Sequence, residues 1–284
     1  MHIMLCYDGS MAAGTAIDCA GTLLPGAYAR IAHLWVPPFA SDAVRRRLWQ
    51  GKRHLNEFVA AIEREGAAEA DRLVTTGVVL ARAAGWEAEP LVERSFGGEG
   101  LHLAELAEKL SPDLIVLGSR GLGGARAVLG SVSDIVVHYA PAPVLVIPHP
   151  LLTAERAALA GGPIVVGWDG SVGSRRALAA AEHLFGVRKI VLATVTGDGP
   201  TEPAPSGYDS VTREPRHRYP AGGRAVAEAL CATAAEQRAA AVVVGSRGRS
   251  AAREILLGSV AMAALHHVPR PVVVVPLRSP DLPD

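Results

Sequence analysis

The chain is poor in the residue patterns that carry covalent or redox chemistry. Its three cysteines, Cys6, Cys19 and Cys231, are odd in number and far apart, with no Cys-x-x-Cys spacing. A disulfide framework, a zinc ribbon and a redox dithiol are all disfavoured by that. Net charge is also missing: 28 basic residues face 28 acidic ones, so no overall field draws nucleic acid or an anionic membrane. No apolar run approaches the roughly 18 residues that suggest a membrane span. The N-terminus enters a strand almost at once and lacks a signal-peptide layout. These absences lead to the expectation of a cytoplasmic protein that engages neither nucleic acid nor membrane.

Several catalytic signatures are absent as well. The one Gly-Lys pair, Gly51-Lys52, is followed by Arg53, so there is no phosphate-binding Gly-Lys-Ser/Thr loop. Neither glycine-rich segment completes Gly-x-Gly-x-x-Gly, and neither Gly-x-Ser-x-Gly nor His-Glu-x-x-His occurs. His266-His267 are chain neighbours and face different ways on a helix, a poor start for a metal site. A basic cluster at Arg45, Arg46, Arg47, Lys52 and Arg53 is followed by Glu57, Glu63 and Glu65, the mix of an ordinary solvated helix face.

What is present is a repeat. The 284 residues, 49% of them hydrophobic, suffice for two globular domains. Leu114-Ile-Val-Leu-Gly-Ser-Arg-Gly121 leads to Gly130-Ser131-Val132-Ser133 and then to Pro143-Val-Leu-Val-Ile-Pro148. Ala241-Val-Val-Val-Gly-Ser-Arg-Gly248 leads to Gly258-Ser259-Val260 and then to Pro271-Val-Val-Val-Val-Pro276. Each copy reads as buried strand, glycine-rich loop, helix, buried strand. Ser131 and Ser259 stand where helix N-caps are expected. Glycine backbone and a hydroxyl beside free helix N–H groups make a place for an anion, usually a phosphate. Ser131-x-x-Asp134 also reads as a capping box, which would spend one of those donors.

Upstream of each copy lies a strand ending in Asp-Gly-Ser: Ile3 to Tyr7 before Asp8-Gly9-Ser10, and Ile164 to Trp168 before Asp169-Gly170-Ser171. Asp8 and Asp169 then sit at the carboxyl ends of strands, where open α/β sheets bind ligands. The competing reading is that each Asp only orders its turn. Second strands follow at Arg30 to Val36 and Lys189 to Thr196. The halves then diverge: 110 residues separate Asp8 from Gly118, but only 76 separate Asp169 from Gly245. The segment 197–223 holds five Pro and five Gly, and a long irregular loop is expected to replace a helix and the third strand there. Arg213, Arg216, His217, Arg218 and Arg224 make it basic, so a lid over phosphate and a surface insertion are both open.

The spacing Gly-x-x-Gly, about nine residues, Gly-Ser resembles the ATP-binding signature of the universal stress protein family. Two copies resemble its tandem form. The first copy is one residue short, and Ala261 stands where the first has Ser133. The resemblance implies an α/β fold of two tandem doubly wound parallel-sheet domains (Rossmann-like, adenine-nucleotide α-hydrolase-like) forming a pseudo-twofold dimer. It implies a first domain over 1–149, a linker over 150–162 and a shortened second domain over 163–284. The strand order 3-2-1-4-5 would put Val144–Ile147 and Val272–Val275 at the edges of their halves, where they are expected to pair antiparallel.

ATP, with or without Mg2+, is the implied ligand. Its residues would be Asp8, Leu34, Gly118, Arg120, Gly121, Gly130, Ser131, Val132 and Ser133 in the first half. In the second they would be Asp169, Val195, Gly245, Arg247, Gly248, Gly258, Ser259 and Val260. The family pattern brings Leu34 and Val195 to the adenine through backbone. The implied role is nucleotide-dependent sensing in a stress response. With neither a base nor a metal cluster in view, binding is favoured over turnover. An adenine-nucleotide hydrolase or transferase, a non-binding member with vestigial sites, and further homodimerisation of the whole chain stay open.

Overall fold

The computed structural model describes residues 1–36, 55–119, 129–196, 202–215, 222–248 and 257–277. Among them run ten strands and eight helices. The first half is β1 (His2–Cys6), α1 (Met11–Leu23), β2 (Tyr28–Trp35), α2 (Leu55–Ala83), β3 (Glu87–Arg94), α3 (Glu99–Leu110), β4 (Leu114–Gly118), α4 (Ser131–Tyr139) and β5 (Val144–Ile147). After α5 (Thr153–Ala158), the second half is β6 (Ile164–Trp168), α6 (Val172–Phe185), β7 (Ile190–Val195) and β8 (Asp209–Arg213). It ends with α7 (Gly223–Glu236), β9 (Ala241–Gly245), α8 (Ser259–His267) and β10 (Val272–Val275).

All ten strands form one sheet in the order β3-β2-β1-β4-β5-β10-β9-β6-β7-β8. Pairing is parallel within each half and antiparallel only at β5–β10. The order therefore reads 3-2-1-4-5 from either edge, the doubly wound arrangement with the expected seam. Register at the seam is self-complementary: Val272 faces Val146, Val273 faces Leu145 and Val274 faces Val144. Equivalent residues exchange places across it, as a twofold interface requires.

The unbroken Val, Leu and Ile runs follow from burial on both faces, as parallel sheets demand. Every residue of β4, β5 and β10 is buried. On one face Leu5, Ile17, Leu114, Leu145, Val166, Leu184 and Val273 share a core that runs through both halves. On the other Met4, Leu106, Val136, Val146, Val242, Leu265 and Val274 share a second. The outer edge strand β3 carries Pro90, which cannot donate to a further ladder.

One expectation needs correction. The third strand of the second half is present, as β8, parallel to β7 and inside the segment 197–223. Pro205 and Pro215 bound a proline-free window that holds Asp209-Ser-Val-Thr-Arg213. Averaging over the whole segment concealed it. In the first half α2 bridges β2 and β3, and its Leu73 Cδ2 would lie 2.9 Å from a Cβ placed on Gly9. In the second half Glu202 takes that place, its Cβ 2.3 Å from the position a Cβ on Gly170 would occupy. Trp168 Nε1 donates to the Glu202 carbonyl (3.1 Å) and Arg175 pairs with its carboxylate (2.8 Å). An extended segment thus covers the turn that a helix covers in the first half. Arg213 is bound by Thr233 and Glu236, and Arg224 by Glu228. Both therefore serve α7; Arg216, His217 and Arg218 lie outside the described residues, as do Arg45 to Arg53.

The connecting helix α5 is held from both sides. Arg156 pairs with Asp18 of α1, and buried Glu155 faces buried Arg270 at 3.7 Å. Arg188 of the second half donates to the carbonyls of Gly162 and Leu23, each at 3.2 Å. Among the described residues no helix is long and apolar enough to cross a membrane.

Candidate functional site

The Asp-Gly-Ser turns close β1 and β6 in the same way. Asp8 Oδ1 accepts the Ser10 N–H at 2.9 Å, and Asp169 Oδ1 accepts the Ser171 N–H at 3.0 Å. Gly9 and Gly170 have φ of +80° and +75°, a region closed to most L-residues. Ser10 and Ser171 then cap their helices, accepting from the Ala13 and Ser174 N–H groups. Each carboxylate therefore does order its turn, as the competing reading held, through one oxygen. The turn also fixes the carboxyl group at the strand's end.

The glycine-rich segments meet these turns from the neighbouring strand. Gly118 ends β4, and a Cβ there would lie 3.0 Å from the Ala12 carbonyl group. Gly245 ends β9, and the same atom would lie 2.5 Å from the Gly173 carbonyl oxygen. Gly173 is tighter still, since its Cβ would fall 1.8 Å from the Arg247 carbonyl oxygen. Loop backbone and helix start are in direct apposition there, and only glycine permits it. A Cβ on Gly248 would lie 2.9 Å from Asp169 Oδ2, so the second half brings the aspartate and the loop together. Arg247 is half-buried, and its Nε is buried without a hydrogen-bond partner among the described residues. Arg120 and Gly121 lie outside the described residues.

The helix starts differ from the sequence expectation. The N-caps of α4 and α8 are Gly130 and Gly258, with extended backbone and no side-chain capping bond. Ser131 and Ser259 are the first helical residues instead. No capping box forms: Asp134 lies 3.6 Å from His138 Nδ1 on the next turn. A glycine cap leaves the first-turn N–H groups without side-chain acceptors, in a helix end that carries partial positive charge. Ser133 is buried, and its hydroxyl donates to the Gly118 carbonyl at 2.9 Å. That hydroxyl ties helix to strand; Ala261 leaves the second half without the tie. Val132 and Ser131 are exposed, as is Ser259, and Val260 is half-buried.

Sequence reasoning passed over Ser119 and Ser246. Each is buried and joins three elements through its backbone. Ser119 N–H donates to the Ile147 carbonyl (2.8 Å), and its carbonyl accepts the Gly130 N–H (2.7 Å). Ser246 does the same with Val275 (2.7 Å) and Gly258 (2.6 Å). The signal was the Ser shared by both Gly-Ser-Arg-Gly copies. Leu34 and Val195 sit half-buried near the ends of β2 and β7, in register with Glu93 and Arg213.

Beside Asp8, burial and then the Asp8 charge push the Cys6 thiol up to about 12, so it stays protonated and is no nucleophile. Among the described residues no group of His, Cys, Asp and Glu is placed to hold a metal ion. A cavity of about 410 Å³ lies at the opposite, amino ends of β7 and β8. Its polar groups are already engaged: Lys189 pairs with Asp209 at 2.5 Å, Tyr208 donates to Glu182, and Arg188 donates to the Gly162 and Leu23 carbonyls. The glycine-rich crevice is the better candidate, because among the described residues its helix caps carry no side-chain bond and Arg247 Nε has no partner.

A sequence model of the universal stress protein family matches residues 1–148 and 221–276. The chain belongs to the universal stress protein family. A universal stress protein of Thermus aquaticus is 33% identical over 155 residues, which are 51% of this chain and 96% of that protein. One from Mycobacterium tuberculosis is 34% identical over 185 residues, 57% of this chain and 61% of its own length. The match thus spans about three fifths of the mycobacterial protein. A solved universal stress protein of Archaeoglobus fulgidus superposes with a TM-score of 0.67 at 18% identity, covering 97% of this chain and 98% of that one. A Pseudomonas aeruginosa protein described as functionally unknown gives 0.55 at 16%, over 96% and 92%. At those identities the likeness is one of fold.

Proposed function

We propose that this universal stress protein binds ATP at the carboxyl ends of its strands and acts as a nucleotide-dependent sensor. The observation that carries the reading is the pair of glycine caps, Gly130 and Gly258, uncapped by any side chain and held by Ser119 and Ser246. They follow β4 and β9, which pair with β1 and β6, the strands that lead to Asp8 and Asp169, at the switch point of a doubly wound sheet. The residues present fit a nucleotide. First-turn N–H groups of α4 and α8 would take phosphate oxygens, Arg247 has a buried donor in want of an acceptor, and Asp8 and Asp169 would face the nucleoside. Leu34 and Val195 would offer backbone to the base. The binding units would be 1–149 and 163–284, joined by 150–162.

The reading predicts dissociation constants of roughly micromolar order, about −8 kcal/mol, measured by calorimetry on the full chain with and without Mg2+. Gly130→Val and Gly258→Val should weaken binding at their own halves. If both together leave ATP binding unchanged, the site is misplaced. Sensing rather than turnover rests on the sequence, in which no recognisable base and metal constellation accompanies the glycine-rich segments. Phosphate release at about one per second or faster, lost with the glycine variants, would replace this reading with that of a hydrolase.

A further inference from the structure

The exit of β5 carries a side-chain network that the second half does not repeat. The His149 N–H donates to Ser119 Oγ at 3.2 Å, and its ring Nδ1 lies 3.0 Å from Thr15 Oγ1. A threonine hydroxyl has one proton to give. That of Thr15 is directed at the Met11 carbonyl, 2.8 Å away in the first turn of α1. With that proton given to Met11, the hydroxyl acts as acceptor towards His149, and Nδ1 carries the hydrogen in this arrangement. Neutral His149 is held as the Nδ1–H tautomer, with Nε2 bare. At the matching place in the second half, Arg176 stands for Thr15 and donates to the Leu277 carbonyl. No imidazole takes part.

Ser119 follows Gly118, and its backbone already joins the end of β5 to the cap of α4. Its hydroxyl adds a third hold, through His149, to α1. That helix begins at the Asp8–Ser10 turn. We propose that His149 is a positioning residue of the first nucleotide site, stapling Gly118-Ser119, where the glycine-rich segment starts, to α1 and so setting the distance between that point and Asp8. The proposal rests on the nucleotide-binding reading above and adds a requirement specific to the first half.

Two measurements on the full chain test it. Nitrogen NMR of the imidazoles, with the His149 signals identified by their loss in His149→Phe, should show a protonated Nδ1 and a bare Nε2 near neutral pH. A dominant Nε2–H form overturns the network. Second, ATP affinity of the first half is measured in a Gly258→Val background, with melting temperature followed in parallel. Thr15→Val removes the acceptor and should weaken ATP about fivefold, the worth of one net hydrogen bond. Thr15→Ser, which keeps the hydroxyl, should restore affinity to within about twofold of that background. Equal affinity for the Val and Ser variants overturns the proposal while leaving nucleotide binding intact. Absence of ATP binding in the Gly258→Val background, with a cooperative melt retained, overturns it too and leaves a second-half site standing. Absence of binding in the native chain overturns both readings. Should Gly258→Val fail to fold, the same Thr15 pair in the otherwise native chain decides through the weaker of two binding classes or its loss.

Discussion

A single methyl group offers a sharp probe of the second site. In Gly248→Ala the new Cβ would lie 2.9 Å from Asp169 Oδ2, where ordinary contact begins at 3.4 Å. The carboxylate must yield by about half an ångström. Its other oxygen holds the Ser171 N–H at 3.0 Å, and a hydrogen bond to a charged group is worth about 1.5–3 kcal/mol. Displacement of that size forfeits part of the bond, roughly 1 kcal/mol of stability, and it also moves the carboxylate away from the proposed nucleoside contact, a loss of about one net hydrogen bond or about fivefold in ATP affinity at this half. Stability should fall by about the same 1 kcal/mol, with or without ATP. Gly248 is exposed and is not among the glycines with positive φ, so alanine brings no backbone strain. Calorimetric titration with ATP and a thermal melt give the two numbers. The mechanism is checked by a double-mutant cycle with Asp169→Ala, in which the methyl has no carboxylate left to displace. An undiminished affinity in Gly248→Ala refutes the reasoning, and so does the same fivefold loss in the Asp169→Ala background.

Other perturbations read the fold itself. Gly9→Ala combines φ of +80° with a Cβ 2.9 Å from Leu73 Cδ2. It should cost about 1–3 kcal/mol and lower the melting temperature by several degrees with or without ATP, a calorimetric measurement. Val274→Pro removes a ladder donor from β10, between β9 and β5. A loss of about 1–3 kcal/mol, the cost of leaving a buried ladder acceptor unsatisfied, should appear in urea denaturation; an unchanged midpoint would mean the seam contributes nothing. Alkaline stability should fall. Burial raises the Cys6 thiol to about 12 and the Cys19 thiol to about 11, both from 9.0. The folded state therefore keeps protons that the unfolded state gives up. This contribution is whole below about pH 9 and is lost as pH rises towards the folded values. Cys6→Ala should flatten the decline between pH 9 and the highest pH at which the fold survives.

The sheet was legible because its central strands leave little choice. Runs such as Val242-Val-Val244 and Leu145-Val-Ile147 exceed what one buried face needs, so they mark strands covered on both sides. The Asp-Gly-Ser turns were legible because φ near +80° selects glycine and the next serine caps. β8 was not, because its five residues carry no apolar run and a burial pattern that is mostly exposed. It is a strand because β7 offers it a free ladder, a tertiary fact. Nor could the caps be placed. A glycine and a serine in succession can each start a helix, and the choice of Gly130 and Gly258 is made by the bonds their N–H groups donate to the Ser119 and Ser246 carbonyls. His149 gave no signal, since its partners Thr15 and Ser119 lie 134 and 30 residues away.

The seam has a consequence for any coupling between the halves. Strands within a half are parallel, and β5 runs against β10. The carboxyl ends of the first half therefore point to one end of the sheet and those of the second half to the other. Ligands at the two proposed sites would lie at opposite ends of the sheet, and the sheet with its two cores offers a path between them. The route is physical: Leu145 and Val273 face each other at the seam and belong to the core that contains Ile17 of α1 and Leu184 of α6. Val146 and Val274 belong to the opposite core, with Val136 of α4 and Leu265 of α8. Each half thus completes the packing of the other on both faces. A ligand that stabilised one half would then stabilise a packing unit common to both, and under the proposed function a nucleotide at one end would have a continuous apolar medium through which to act on the other.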